Sequence, residues 1–366
     1  MPPLARALAA VLTALLAGAG AVRAYDLSPE LRAALEEWAK ANPRERGTAG
    51  EIDWRYELPP GVTTRQVTFW SDETACYAKL FFPAGFTTER ASPAVVLGHG
   101  FNAISIAIEK YGARFAENGL VAMVIDYRGY GFSDPFVSLL DDDPTTGDTP
   151  RETETTARVE LRRTRLVAQK QAEDYRAAIS FLQGEPGVDP ARIGIWGSSH
   201  AGGVVVTVAG QDARVKAVVA QVSSVGGRDR SGPTKLEGGL LEDAIQRART
   251  GRGGEMEAGF SFRGLVDLET RQTGAEHRPW AALARIPAST AVLFLPAQNE
   301  ELGNPRGPSG PFEAVKVLRG PAEVFEIPFI THFQVYAGPA FEVSSGAAVE
   351  WYLKHLGGMP VTERKP

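Results

Sequence analysis

Short apolar runs separated by helix-patterned segments constrain this chain more than any other feature. AVVLGHG (94–100), LVAMVIDYRG (120–129), RIGIWG (192–197), VKAVVAQV (215–222), STAVLFLP (289–296) and AEVFEIP (322–328) each read as a strand covered on both faces. Between them AIEKYGARFAENG (107–119), VAQKQAEDYRAAISFLQGEPG (167–187) and AGGVVVTVAGQ (201–211) read as helices, and SSGAAVEWYLKHLG (344–357) closes the series. Alternation of this kind predicts an α/β fold, a mostly parallel central sheet with helices on both faces. Ahead of it, TRQVTFWS (64–71) and CYAKLFFP (76–83) alternate like a lead-in hairpin. LSPELRAALEEWAKA (27–41) reads as an amphipathic helix, with Ser28 as its cap and Pro29 at its first position.

Two segments break the alternation. Residues 223–285 are polar and helix-prone with no clear strand, and read as a helical cap inserted over the sheet. Residues 141–161 are acidic and Thr-rich, too poor in apolar side chains for a core, and read as a long mobile loop. The expected organisation is residues 1–24 as a signal peptide, 25–60 as a helical lead-in, 61–222 and 286–366 as the core, and 223–285 as the cap. The first segment has Arg6, an Ala- and Leu-rich run, and small residues at Val22 and Ala24. That pattern predicts export to a bacterial periplasm or the medium. The run is too short to span a membrane comfortably, so no stable membrane insertion is expected once it is removed.

The formal net charge is −5, and residues 1–24 hold two arginines and no acid, so the remainder is more acidic still. An acidic chain argues against a nucleic-acid partner and against an anionic membrane surface. Cys76 is the only cysteine, which excludes an internal disulfide. No His/Cys/Asp cluster has metal-ligand spacing, so neither a metal nor a cofactor is expected. YRGYGFSD (127–134) lacks the G-x-G-x-x-G spacing, and Pro135 stands where a dinucleotide-binding helix would start, so it reads as a Gly-rich turn. The oligomeric state is open.

The chemistry concentrates in IGIWGSSHAGG (193–203). A nucleophilic serine must project from a sharp strand-to-helix turn, with small residues two positions before and two after it. Ser199 has Gly197 and Ala201 there, whereas Ser198 would have the bulky Trp196. Ser199 is therefore the candidate nucleophile. A serine hydroxyl needs a base. His99 ends a core strand, His200 neighbours the serine, His277 lies in the cap, and His355 reads as a solvated residue of the last helix. His332 follows the last strand, and loops after strand C-termini converge at one edge of a parallel sheet, so it is the candidate base. Glu300 and Glu301 leave the strand at 289–296 toward the same edge. Glu300 is preferred as the orienting acid, with Glu301 the alternative. The backbone N–H groups of His200 and Phe101 are the expected oxyanion donors, the second from the GHGF turn (98–101).

VVLGHGF, VIDYRGYGFSD, AEDYRAAISFLQGEPGVDPARIGIWGSSHAGG, FLPAQNEELGN and THFQVY, in this order, resemble landmarks of the α/β-hydrolase superfamily. The flavour is that of bacterial dienelactone-hydrolase-like and X-Pro-peptidase-like serine esterases, over residues 60–222 and 286–356. The resemblance implies Ser199, His332 and Glu300 as a catalytic triad, with Phe101 and His200 at the oxyanion positions. Dienelactone hydrolases proper carry cysteine where Ser199 stands, and the family acid is usually Asp. What it implies is a serine hydrolase of carboxylic esters acting on a small-molecule ester. The alternatives are an X-Pro-type peptidase or amidase, and a non-catalytic binding protein on the same scaffold.

Overall fold

A computed structural model describes residues 21–22, 27–43, 54–140, 155–228, 235–257 and 265–357. In chain order the elements are strand β1 (Ala21–Val22), helix α1 (Pro29–Ala41), β2 (Thr63–Ser71), β3 (Thr74–Phe82), β4 (Ser92–Gly98), α2 (Glu109–Glu117), β5 (Val121–Ile125), β6 (Phe136–Leu139) and β7 (Val159–Arg162). There follow α3 (Ala168–Gln183), β8 (Val188–Ser198), α4 (His200–Ala209), β9 (Val215–Gln221), α5 (Gly239–Thr250), β10 (Glu255–Glu257), β11 (Leu265–Asp267) and α6 (Glu269–Glu276). The chain ends with α7 (Trp280–Leu283), β12 (Ala291–Leu295), α8 (Pro311–Ala314), β13 (Ala322–Val324) and α9 (Gly338–Leu356).

Among the described residues nine strands form one sheet in the order β1-β13-β12-β9-β8-β4-β5-β3-β2. Strands from β13 to β5 run parallel, while β3 pairs antiparallel with both β5 and β2. This is the α/β-hydrolase fold, a mixed and mostly parallel sheet flanked by helices. Successive side chains of a strand face opposite sides, and a strand buried on both faces must be apolar throughout. Ala94 and Val96 of β4 accordingly join the core beneath α3 and α4, and Val95 and Leu97 join the core beneath α1, α2 and α9. Ser28 caps α1 as the sequence predicts, its hydroxyl accepting from the Leu31 N–H at 3.2 Å.

The structure departs from the sequence reading in several places. Residues 141–161 are not loop throughout: β7 pairs antiparallel with β6, so Val159–Leu161 are strand, while 141–154 lie outside the described residues. The cap is not purely helical: β10 and β11 form an antiparallel pair beside α5, α6 and α7. The final strand is only Ala322–Val324, and the final helix begins at Gly338. Ala21 and Val22 pair in parallel with Glu323 and Val324, at the end of the segment read as a signal peptide, whose other residues lie outside the described ones. Among the described residues no helix is long and apolar enough to cross a membrane.

Candidate active site

β8 ends at Ser198, α4 starts at His200, and Ser199 between them has φ 59° and ψ −122°. A non-glycine residue at positive φ is strained and persists only where its surroundings hold it. Here the Ser199 N–H donates to the Gln221 carbonyl at 2.8 Å, and the Ser199 carbonyl accepts from Gly202 N–H at 2.9 Å. The small residues have a steric cause. A Cβ at Gly197 would collide with the Ala201 carbonyl oxygen, and one at Gly202 with the Ser223 side chain. The Ala201 methyl is fully buried without such a collision, so the turn accommodates alanine where the usual pattern has glycine.

The two serines of the turn have different environments. Ser199 is half-buried, and Ser198 is buried with its Oγ 2.7 Å from Tyr336 Oη. Trp196 points into the α1/α2/α9 layer, its ring 4.5 Å from that of Tyr111.

His332 sits 3% exposed at the start of a 3₁₀ turn, Phe333–Tyr336. Its Nε2 is 2.9 Å from Ser199 Oγ, and its Nδ1 is 2.9 Å from both Glu300 carboxylate oxygens. A carboxylate only accepts, so Nδ1 carries the hydrogen and Nε2 is left to accept the Ser199 hydroxyl proton. Glu301 points elsewhere: its Oε2 accepts the His332 backbone N–H at 2.7 Å. The structure thus brings Ser199, His332 and Glu300 into one chain of contacts, and puts the alternative acid on the backbone of the same histidine. Such a chain is competent to move a proton from a serine hydroxyl to an imidazole and to stabilise the resulting cation.

The loop after β4 lies over the turn, since a Cβ on Gly100 would fall 3.3 Å from Ser199 Cβ. Phe101 follows Gly100 in that loop, and its ring meets the His200 ring edge-on at 5.9 Å. His200 is the first residue of α4, where the backbone N–H has no intrahelical acceptor. His99 is buried and donates from Nδ1 to the Gly100 carbonyl at 3.0 Å, which shapes this loop. Asp126 escaped the sequence reading. Its buried carboxylate accepts from Ser105 N–H at 2.7 Å and Phe132 N–H at 2.9 Å, tying two loops at the same edge. Gly131, at φ 50°, leaves room for that carboxylate, and Gly129 for the Phe136 ring, which explains the glycines of YRGYGFSD. Among the described residues no cluster of three or more His, Cys, Asp or Glu side chains could hold a metal ion.

The side chains of His200, His277 and His355 are held by hydrogen bonds or ring contacts of their own. His200 donates from Nε2 to Gln171 Oε1 at 2.7 Å, and His277 lies 2.9 Å from Thr207 Oγ1, fastening the cap to α4. His355 is half-buried with its ring 4.1 Å from Trp351, not solvated as its place in the last helix suggests. Burial, then the charges of His277 and His99, lower the His200 value from 6.5 to about 3, and burial lowers His277 to about 4. Both are depressed in the fold, so the unfolded chain takes up protons first. Their contribution to stability is whole above about pH 6.5 and fades as pH falls toward the folded values. Between about pH 6.5 and 5, above most carboxylate titration, the thermal midpoint should fall, and less steeply in His277→Gln. A midpoint flat over that window in the unsubstituted protein would contradict these environments.

Residues 37–229 match the sequence family described as acetyl xylan esterase (AXE1). An Escherichia coli protein, described as an uncharacterized 31.7 kDa protein in the traX-finO intergenic region, is 26% identical over 294 residues, covering 72% of this chain and 91% of its own. The quorum-quenching protein AidA of Acinetobacter baumannii is 31% identical over 186 residues, 49% of this chain and 52% of its own. Among solved structures, hypothetical protein PA2218 of Pseudomonas aeruginosa superposes with a TM-score of 0.61 at 18% identity, over 86% of this chain and 100% of its own. That likeness is one of fold.

Proposed function

Because the chain belongs to the acetyl xylan esterase (AXE1) family, and is therefore a carboxylic ester hydrolase, we propose that it cleaves esters through an acyl-enzyme on Ser199. The observation that carries this reading is the contact chain Ser199 Oγ, His332 Nε2, His332 Nδ1, Glu300. Ser199 Oγ attacks the ester carbonyl carbon while His332 Nε2 takes its proton. Glu300 holds the imidazole in the accepting tautomer and stabilises the imidazolium. The backbone N–H groups of Phe101 and His200 receive the oxyanion. Collapse breaks the bond to the alkoxy oxygen, which leaves with the proton from His332. Water then attacks the acyl carbon, again giving a proton to His332, and the acid departs as that proton returns to Ser199.

The proposed substrate is a small acyl ester, the acetyl group first, following the family description. The test is a panel of p-nitrophenyl acetate, longer p-nitrophenyl esters, acetylated xylan and aminoacyl p-nitroanilides. Acetyl esters should turn over fastest and anilides least. Anilide cleavage outrunning every ester would replace this reading with a peptidase.

Export is proposed on the pattern of residues 1–24. Cleavage after Ala24 would remove β1 and leave β13 as the sheet edge.

A further inference from the structure

The turn carries a second serine whose hydroxyl the proposed chemistry does not use. Ser198 is 0% exposed, and no substrate can reach it. Its Oγ accepts from Gln221 Nε2 at 3.2 Å and shares a hydrogen with Tyr336 Oη at 2.7 Å. Tyr336 closes the 3₁₀ turn that His332 opens. The contact therefore joins the residue just before Ser199 to the turn that carries His332.

A second route runs parallel to the first. Gln221 accepts the Ser199 N–H on its backbone carbonyl, and its side chain donates to Tyr111 Oη at 3.0 Å. Tyr111 Oη donates onward to the Val335 carbonyl at 3.2 Å, and Lys110 Nζ donates to the Tyr336 carbonyl. Burial pushes both phenols well above their ordinary range, so they stay protonated wherever the enzyme works. The four side chains Ser198, Gln221, Tyr111 and Tyr336 are all buried, and none touches Ser199 Oγ or the His332 ring by hydrogen bond. Their partners are the backbones on which the two reacting groups stand.

We propose that Ser198 and Tyr336 are positioning residues: their buried hydrogen bond sets the approach of His332 Nε2 to Ser199 Oγ. The inference rests on the reading of Ser199 as nucleophile. Losing one partner leaves the other buried without its bond, and a displaced base loses proton-transfer efficiency. The interaction is made equally before and after substrate binds, so it acts on turnover and not on affinity.

The test is steady-state kinetics of Ser198→Ala, Tyr336→Phe and the double variant on p-nitrophenyl acetate, normalised to sites titrated with a fluorophosphonate. Each single variant should lose about tenfold to a hundredfold in kcat, with KM within about twofold. The double variant should be no slower than the slower single, because Ser198→Ala and Tyr336→Phe each remove the contact the two residues share. A merely structural role would lower the titrated fraction or the thermal midpoint and leave kcat per site intact. Values of kcat per site within about twofold of the unsubstituted protein in both singles would overturn the proposal, as would fully multiplicative losses. If Ser198→Ala does not fold, Tyr336→Phe keeps the ring and decides alone. Peptide mapping of the fluorophosphonate separates the two readings: a label on a residue other than Ser199 defeats the nucleophile, while a label on Ser199 with unchanged kcat in the variants defeats only the positioning contact.

Discussion

Ser199→Ala should abolish ester turnover, with kcat on p-nitrophenyl acetate falling by about 10⁴-fold or more. Removing the hydroxyl removes the proposed covalent step itself. Ser198 is the nearest other hydroxyl in sequence, but it is buried and bonded to Tyr336 and Gln221. Residual activity would come from the oxyanion donors alone, which in such enzymes leaves a small rate above that of water. The substitution should not unfold the protein. Ser199 makes its structural bonds through its backbone, to Gln221 and Gly202, and alanine keeps both. Alanine also keeps the strain of φ 59°, which glycine would release. Ser199→Gly should therefore be as inactive as Ser199→Ala yet melt at the higher temperature of the two. Equal turnover in the unsubstituted protein and Ser199→Ala would end the acyl-enzyme reading. Equal melting of the Ala and Gly variants would mean that the turn stores no strain.

What the sequence reveals of this fold follows the strength of each local signal. β4, β5, β9, β12 and the second half of β8 are covered on both faces, so each shows as a short apolar run near where its pattern puts it, while β8 itself starts earlier, at Val188, through the polar and partly exposed Asp189–Arg192. β10 and β11 have three residues each, too few for any period to emerge from polar surroundings. β7 is half-exposed and follows a run of threonines and charges, so its pairing with β6 is a tertiary fact with no local signature. The site divides in the same way. Ser199 is readable because sterics around Gly197 and Ala201 admit one serine only. His332 is readable because a parallel arrangement sends the ends of β4, β5, β8, β9, β12 and β13 to one edge. The Tyr336 contact of Ser198 spans 138 residues of chain, and the Asp126 carboxylate is filled by backbone groups on either side of it in sequence. Neither leaves a motif, because a buried hydrogen bond requires a position in space and not a spacing in sequence.

The choice between Glu300 and Glu301 shows where sequence stops and geometry begins. Both leave β12 at the same edge, and their side chains differ only in direction. Glu300 reaches His332 Nδ1, Glu301 reaches His332 N–H, and substitution by glutamine separates these roles chemically. In Glu300→Gln the side chain gains an N–H₂ that can donate to Nδ1. That stabilises the tautomer with hydrogen on Nε2, which cannot accept the Ser199 proton, and it leaves the imidazolium without its counter-charge. The expected loss in kcat is about 10³- to 10⁴-fold with little change in KM. In Glu301→Gln the amide oxygen can still accept the His332 N–H, and only the charge assistance of that bond is lost. The expected loss is within about tenfold. Glu301→Ala removes the acceptor as well and should fall between the two, because the histidine then loses a backbone tether but keeps its carboxylate. A larger loss in Glu301→Gln than in Glu300→Gln would reverse the assignment. It would mean that in solution the two carboxylates exchange places around one histidine.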